Sequence, residues 1–319
     1  MSGHALQQVI VIPRNGYINR LQAWASASIL GDALAVSTRV LWEPEPAAPI
    51  GMDELFEPEF VDRLRIGREE VDELLAGAHE ALPRYLNALP ARKVIVLAGH
   101  DQGEQVFMSQ LLKMIADDSS LTSLVIIAGG QFHTPNTREF DLLRRGFYQA
   151  LRWDKVLESR VQAELKGRDP FLAVHIRQTD RSLTAPTTRS LRKALAELHA
   201  QSHLSNVFVA ADTAQARNQW HGIVRSLGLE PWSVADQSHD RSSASGGVGA
   251  MVDWRLLGAA QGLVYSAESS FGHEAATMIG NEQQTIGLTA GKSLQRARAT
   301  TQLINSAITY PRRRRRTRQ

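Results

Sequence analysis

The sequence predicts an α/β protein of two successive domains, each with helices packed on a parallel β-sheet. Short runs of β-branched and aliphatic residues alternate with longer segments of helical period along the 319 residues, as in parallel sheets covered by helices. The alternation starts near the N-terminus and again after residues 167–170, where glycine and proline break a helical pattern. The length is also sufficient for two domains of ordinary size.

The first series opens with a strand, a helix and a second strand. The apolar run 8–12 predicts a strand that ends at Pro13, and the run 39–42 predicts the next strand. Between them, four apolar residues recur at helical spacing: Ala23, Ala27, Leu30 and Leu34. Further along the chain we expect strands at 93–97 and 124–127 and helices at about 105–115 and 136–156.

The second series supplies the second sheet. We expect its strands at 171–175, 207–210, 263–265 and 284–286, and its helices at 188–199, 214–227, 252–260 and 270–279. Residues 236–249 are rich in serine, glycine and charge, and they predict a mobile loop. The predicted domains are therefore 1–155 and 156–305, followed by a disordered arginine-rich tail at 306–319.

Composition excludes several classes of function. The chain has no cysteine, which rules out disulfides, thiolate metal sites and cysteine nucleophiles. Six of its 36 Lys and Arg lie between Arg312 and Arg318, and the other 30 stand against 33 Asp and Glu, unlike a globally basic nucleic-acid-binding protein. The first residues do not have the pattern of a signal peptide, and the uncharged segment 119–137 is too polar to span a membrane. We expect a cytoplasmic protein.

Two familiar motifs are incomplete. Residues 287–293 are similar to a phosphate-binding P-loop, but Ile286 stands where its first glycine is needed. His273 and Glu274 begin a zinc-protease motif, but Thr277 stands in place of the second histidine, so the zinc ligands on one helix face are lacking. We therefore expect no metal site.

The strongest chemical signal lies in residues 171–181. An apolar strand ends in His175, and Arg177, Asp180 and Arg181 follow in the loop at its carboxyl end, where parallel sheets bind ligands. Arginine suits a diphosphate because its planar fork donates paired, charge-assisted hydrogen bonds and stays protonated. The alternative is a solvated charged loop that closes a strand.

The same residues resemble the His-x-Arg-Arg-x-Asp motif of the α1,6-fucosyltransferases, which include the nodulation chitin-oligosaccharide enzymes. The protein O-fucosyltransferases share the motif more loosely. Three other segments resemble this superfamily in matching order: 15–21 the N-terminal Gly-x-x-Asn-Gln/Arg-Leu loop, 206–212 the strand ending in Thr/Ser-Asp, and 251–271 the Val-Asp, Leu-Leu and Ser-Ser-x-Phe block. The similarity, over about residues 8–280, implies the GT-B fold, in which two Rossmann-like domains face a central cleft.

The resemblance also implies an inverting, metal-independent transfer of fucose from GDP-fucose, with no cofactor. Arg177 would bind the β-phosphate, and Asp180 and Asn19 would complete the catalytic set. His175 and Asp253 would contact the guanine. The other donor-binding residues would be Gly16, Asp212, Ser269 and Ser270. The acceptor would be a carbohydrate or another hydroxyl compound bound on the side of the N-terminal domain.

The chain departs from the family pattern at the motif itself. Gln178 replaces the second arginine, and Asp212 is followed by Thr213 where the family has a pair of aspartates. No acidic residue lies between Asp180 and Glu197, where the family has a candidate base. The group that deprotonates the acceptor stays open between Asp180, a residue of the N-terminal domain and the donor's own phosphate.

Each candidate residue also has a purely structural explanation. Asp253 could be an acidic residue near a helix N-terminus, the serines helix N-caps, Asn19 a turn residue and His175 a satisfied core histidine. Two other functions stay open as well. One is a transferase with another nucleotide-sugar donor. The other is a non-enzymatic nucleotide-binding protein that docks on nucleic acid or an anionic membrane through Arg312–Arg318, unless that tail is simply solvated.

Overall fold

The computed structural model describes residues 6–76, 94–98, 122–132, 137–177, 185–235, 238, 240 and 242–292. Its first elements are β1 (Gln8–Pro13), α1 (Tyr17–Leu34), β2 (Ser37–Val40), α2 (Pro58–Leu64), α3 (Arg68–Leu75), β3 (Val94–Ala98), β4 (Ser123–Ala128), α4 (Thr137–Ala150) and α5 (Lys155–Leu165). The later elements are β5 (Leu172–Ile176), α6 (Thr188–Ser202), β6 (Asn206–Ala211), α7 (Ala214–Arg225), β7 (Glu230–Trp232), α8 (Ala244–Ala259), β8 (Gly262–Ser266), α9 (Ser270–Ile279) and β9 (Thr285–Leu288).

The chain forms two compact units. The first unit comprises Met1–Arg168, Val234–Ala259 and Glu274–Asn281, and the second comprises Asp169–Ser233, Ala260–His273 and Glu282–Gln319. Helices α8 and the end of α9 therefore belong with the N-terminal residues rather than with their sequence neighbours. This division follows contacts in space, and the domain boundary at 155/156 stays a prediction.

The first unit has the strand order β2-β1-β4-β3, with every pair parallel. Strand β1 is central, and its residues from Val9 to Ile12 are buried, as expected for a strand covered on both faces. The first unit also contains an aromatic cluster with neighbouring ring centroids 5.0–6.4 Å apart. Its members in the first unit include Trp24, Trp42, Phe56, Phe147, Trp153 and Trp254.

The second unit has the strand order β7-β6-β5-β8-β9, again with every pair parallel. One face of this sheet packs against α6 and α7 through a continuous apolar cluster that includes Leu172, Val174, Leu195, Val209 and Trp220. This is a doubly wound sheet, in which the chain moves from β5 outward to β7 and then returns to the other side of β5. The predicted α/β class with two parallel sheets is confirmed.

Most predicted elements lie within a few residues of the observed ones, with three corrections. The loop predicted at 236–249 is wrong in its second half, because α8 already begins at Ala244. The single helix predicted at 136–156 is two helices, since Asp154 accepts hydrogen bonds from Val156 and Leu157 and caps a new helix, α5. Helices α2 and α3 and strand β7 were not predicted. The predicted helix at 105–115 lies outside the described residues.

The first unit contains a buried network of charged side chains centred on Glu274. The carboxylate of Glu274 accepts hydrogen bonds from Gln22 Nε2 (2.7 Å), Arg144 Nη1 (2.8 Å) and Tyr148 Oη (2.7 Å). Arg144 and Glu274 have no exposed surface. Burial opposes the charge on Arg144, but Glu274, Tyr148 and Asp141 together outweigh it and hold the pKa of the guanidinium above its usual value. Burial and the Glu274 charge also raise the pKa of Tyr148 well above its usual value, so the phenol stays protonated.

This network predicts a large stability difference between two ion pairs of the first unit. Arg144→Met leaves the Glu274 carboxylate buried without its cation, and we expect the free energy of unfolding to fall by about 3–5 kcal/mol. The matched control is Glu158→Gln, which removes the half-exposed pair with Arg255 (2.9 Å) and should cost less than about 1 kcal/mol. Urea unfolding measures both. Equal losses in the two variants would contradict the assigned role of the Arg144–Glu274 pair.

Candidate functional site

The topology of the second sheet marks the place for a ligand. Strand β5 pairs with β6 on one side and with β8 on the other, and the chain visits the two sides in succession. The connections that leave β5 and β8 therefore diverge at the carboxyl edge of the sheet and leave a crevice between them. In open α/β sheets this switch point is the usual ligand site.

Residues at the end of β5 line this edge. His175 is 5% exposed, and its ring stacks on that of Phe271, with centroids 5.1 Å apart and planes inclined by 23°. Arg177 is the first residue after the strand and is half-buried. Asp212 directly follows β6, and its main-chain N–H donates to the carbonyl of Ile176 (3.2 Å), which ties the ends of β5 and β6 together.

The turn from β8 into α9 lies beside Arg177 along the same edge. The N–H of Ser269 donates to the carbonyl of Ser266 (2.9 Å), and the carbonyl of Ser269 accepts the first helical bond from His273 (3.0 Å). Ser269 is therefore the N-cap residue of α9. Its hydroxyl is buried, with 2% of the residue exposed, and among the described residues it has no hydrogen-bond partner. The hydroxyl of Ser266 is also buried and has no hydrogen-bond partner among the described residues.

An uncapped N-terminus of this kind favours an anion. The N–H groups of Ser270, Phe271 and Gly272 belong to the first turn, where an α-helix offers no internal acceptor. An N-cap serine usually accepts from one of these groups, but the Ser269 hydroxyl does not. A buried hydroxyl without a partner costs about 1–3 kcal/mol, so a ligand with several anionic oxygens would satisfy the hydroxyl and the N–H groups together.

The loop between β1 and α1 and the first turn of α1 carry two of the candidate residues of the first unit. Gly16 is the N-cap of α1 and makes no side-chain cap, and Asn19 is half-buried in the first turn. Asn15 adopts a left-handed conformation with φ of 69°. Its side-chain Nδ2 donates to the carbonyl of Gly129 (3.0 Å), which follows β4. The loop is thus fixed to the neighbouring strand end.

A buried arginine shapes the same loop. Arg20 has no exposed surface, its Nε donates to the carbonyl of Asn15 (2.8 Å), and its Nη2 pairs with Glu45 (3.1 Å). Burial lowers the pKa of Arg20, and the Glu45 charge partly offsets this. Burial would raise the pKa of Glu45, but Arg14 and Arg20 outweigh it and lower that pKa. Glu45 therefore stays ionised at neutral pH and holds both arginines.

Asp253 lies in the middle of α8 and is 8% exposed. Its position within the helix contradicts the alternative that it is a first-turn acid. The glycines that precede it allow close packing. A Cβ at Gly247 would lie 2.5 Å from the hydroxyl of Tyr17 and 2.6 Å from Cδ1 of Ile50, so only glycine fits without rearrangement. The mobile loop predicted from these glycines is therefore a packed helix.

The structure groups the predicted site residues by unit. The second unit brings five of them to the carboxyl edge of its sheet: His175, Arg177, Asp212, Ser269 and Ser270. The first unit contains Gly16, Asn19 and Asp253. Asp180, Gln178 and the tail 312–318 lie outside the described residues. Ser266 and Gly272 are not among the predicted site residues, although Gly272 stands directly after the Ser-Ser-Phe segment and a glycine inside a helix often marks a close contact.

Within the described ranges, no group of three or more His, Asp or Glu side chains is arranged to hold a metal ion. Among the helices described, none combines the length and apolar character needed to cross a bilayer.

The chain is similar to known proteins in its fold but not in its sequence. No protein-family model and no curated protein sequence matches the chain. Among solved structures, NodZ α-1,6-fucosyltransferase soaked with GDP-fucose is similar, with a TM-score of 0.56 and 17% identity over 86% of this chain and 93% of that one. POFUT1 in complex with GDP-fucose gives 0.51 and 11% over 90% of this chain and 99% of that one.

A plant enzyme is also similar. A variant of Arabidopsis thaliana FUT1 in complex with GDP gives a TM-score of 0.60 and 14% identity, over 88% of this chain and 70% of the plant chain. These identities are too low to carry activity from one protein to another. The likeness covers most of both partners in each pair, and the chain therefore has the GT-B fold of the fucosyltransferases.

Proposed function

We propose that this protein is an inverting, metal-independent glycosyltransferase that transfers fucose from GDP-fucose to a hydroxyl of a carbohydrate or another acceptor. The fold supports a nucleotide-sugar transferase, because the similar structures include NodZ and POFUT1 with GDP-fucose or GDP bound. Fold likeness alone does not choose a chemistry, so the proposal depends on the site.

The observation that carries it is the pairing of a cation and an anion-binding turn on adjacent strands. Arg177 follows β5, the Ser269 turn follows β8, and these strands are hydrogen-bonded neighbours, whose spacing is about 4.8 Å. The guanidinium, the buried hydroxyls and the N–H groups of α9 are all donors. A diphosphate offers enough acceptor oxygens to bind them simultaneously.

The reaction would use these donors to stabilise the leaving group. The acceptor oxygen attacks C1 of fucose from the face opposite the diphosphate, the bond from C1 to the β-phosphate oxygen breaks, and GDP leaves with the electron pair. The acceptor proton passes to a base. Arg177 and the α9 N-terminus would neutralise the charge that develops on the β-phosphate, as preorganised donors do in other transferases.

The other candidate residues receive roles by resemblance. Asp253 and His175 would contact guanine. Because Nδ1 of His175 faces α9, that contact would use Nε2 or the main chain. Gly16 and Asn19 would approach the phosphates and the sugar, and Asp212 the donor. The base stays open between Asp180, a residue of the first unit and the donor phosphate.

The primary test is incubation with GDP-fucose and measurement of released GDP and free fucose, followed by an acceptor array. Titration with GDP, UDP, ADP and dTDP identifies the nucleobase of the sugar donor. A preference for another diphosphate would assign a different nucleotide sugar. If the protein binds GDP but neither hydrolyses GDP-fucose nor transfers fucose to any acceptor tested, the non-enzymatic alternative is favoured.

Arg177→Lys tests the leaving-group role. A lysine keeps the charge but cannot reproduce the bidentate fork, so we expect turnover to fall at least tenfold, about 1.4 kcal/mol in activation free energy. Steady-state assays of donor hydrolysis measure this. Near-normal turnover in the lysine variant would remove Arg177 from the proposed mechanism.

Chelation tests metal independence. If arginine and helix donors neutralise the diphosphate, EDTA should leave the initial rate unchanged within experimental error. Activity that disappears in EDTA and returns with Mg²⁺ or Mn²⁺ would show that a metal ion, and not Arg177, neutralises the diphosphate.

Asp253→Asn tests guanine recognition. Guanine presents two adjacent N–H donors, and a carboxylate accepts both, whereas the amide would place a donor against a donor. Hydrogen bonds to a charged group contribute about 1.5–3 kcal/mol, so GDP affinity should fall roughly ten- to a hundredfold. Calorimetry with GDP, UDP and ADP makes the comparison. An equal loss for all three would mean that Asp253 does not read the base.

A further inference from the structure

Gly272 lies in the first turn of α9, three residues after the N-cap Ser269, where the helix main chain rests directly on the sheet. A Cβ built there would lie 2.7 Å from Cβ and 2.8 Å from Cδ2 of Tyr265, and 3.0 Å from Nδ1 of His175. Ordinary contacts of a Cβ are 3.4–4 Å. No side chain therefore fits between α9 and the ends of β5 and β8.

The atoms that Gly272 faces cannot easily yield. Cβ of Tyr265 moves only with the main chain of β8, and β8 is hydrogen-bonded to β5 on one side and β9 on the other. The imidazole of His175 is held by its stacking on Phe271. A side chain at position 272 would therefore displace the first turn of α9 rather than the sheet, because close-packed interiors transmit such strain and β8 is paired with a strand on each side.

We infer that Gly272 is a positioning residue for the nucleotide diphosphate. By carrying no side chain, it sets the distance between the sheet edge and the N–H groups of Ser270, Phe271 and Gly272 itself, and it sets the place of the Ser269 hydroxyl. Hydrogen bonds of this kind form at about 2.7–3.2 Å and weaken steeply outside that range. The inference rests on the proposed function, since it assigns these donors to the phosphates of the donor.

A second helical glycine of the same unit supplies the matched control. Gly222 lies inside α7, and a Cβ there would meet no atom within 4 Å. Both replacements by alanine remove a glycine from a helix, which by itself stabilises the helix by about 1 kcal/mol. Only the replacement at 272 adds an atom against the sheet. The two variants therefore share the propensity effect and differ in the displacement of α9.

The experiment is calorimetric titration of wild type, Gly272→Ala and Gly222→Ala with GDP, at a temperature where circular dichroism shows all three to be folded. We expect GDP to bind Gly272→Ala at least tenfold more weakly, and Gly222→Ala within twofold of wild type. GDP affinity in Gly272→Ala within twofold of wild type would overturn the inference, whatever its thermal stability, because a purely structural role predicts that result.

Guanosine separates the phosphate site from the base site. Competition against GDP should show that Gly272→Ala changes guanosine affinity by less than threefold, whereas an equal loss for guanosine and GDP would also overturn the inference. If wild type binds no GDP, the proposed function fails, and pyrophosphate then decides whether the turn holds a diphosphate at all. Should Gly272→Ala not fold, Ser269→Ala removes the hydroxyl that Gly272 is inferred to position. GDP affinity should then fall by more than threefold with guanosine affinity unchanged, and an unchanged GDP affinity would overturn the inference.

Discussion

The parallel pairing of β5 with β8 is the constraint on which the candidate site depends. Because the two strands run in the same direction, the residue after β5 and the turn after β8 emerge at the same edge of the sheet. The connection after β5 leads to β6 on one side, and the connection after β8 leads to β9 on the other side. Neither connection therefore covers the space in front of the edge where β5 and β8 end. Arg177 and the N-terminus of α9 are neighbours for this reason alone, although about ninety residues of sequence separate them.

The site is built at some cost to the stability of the unliganded protein. The Ser269 hydroxyl is buried and does not cap its own helix. The protein therefore lacks the stabilisation of about 1 kcal/mol that an N-cap hydrogen bond typically contributes. A glycine also stands in the first turn of α9, where alanine would favour the helix. In the proposed function, both features would direct donors toward the phosphates and keep the turn close to the sheet. Such local sacrifices are common where a protein binds ligands.

In the first unit, buried charged side chains link segments that are distant in the sequence. Glu274 joins side chains from α1 and α4 that lie 126 to 252 residues away in sequence, and Arg20 closes the loop that carries Gly16. Hydrophobic contacts would hold these elements together with little regard for their exact register. Displacing one partner of a buried ion pair leaves an uncompensated charge, which is strongly destabilising.

The sequence by itself determined the fold class, the order of most strands and helices, and the carboxyl-edge position of Arg177. Hydrophobic period and helix-breaking residues report on local structure, and parallel strands leave few topologies to consider. The sequence did not predict the helical start of α8, the network around Glu274, the uncapped hydroxyl of Ser269 or the contact at Gly272. Each of these depends on groups that are distant in the chain, and a glycine has the same local pattern whether it permits mobility or close packing. Only the tertiary structure, by placing Tyr265 and His175 against Gly272, decides between the two.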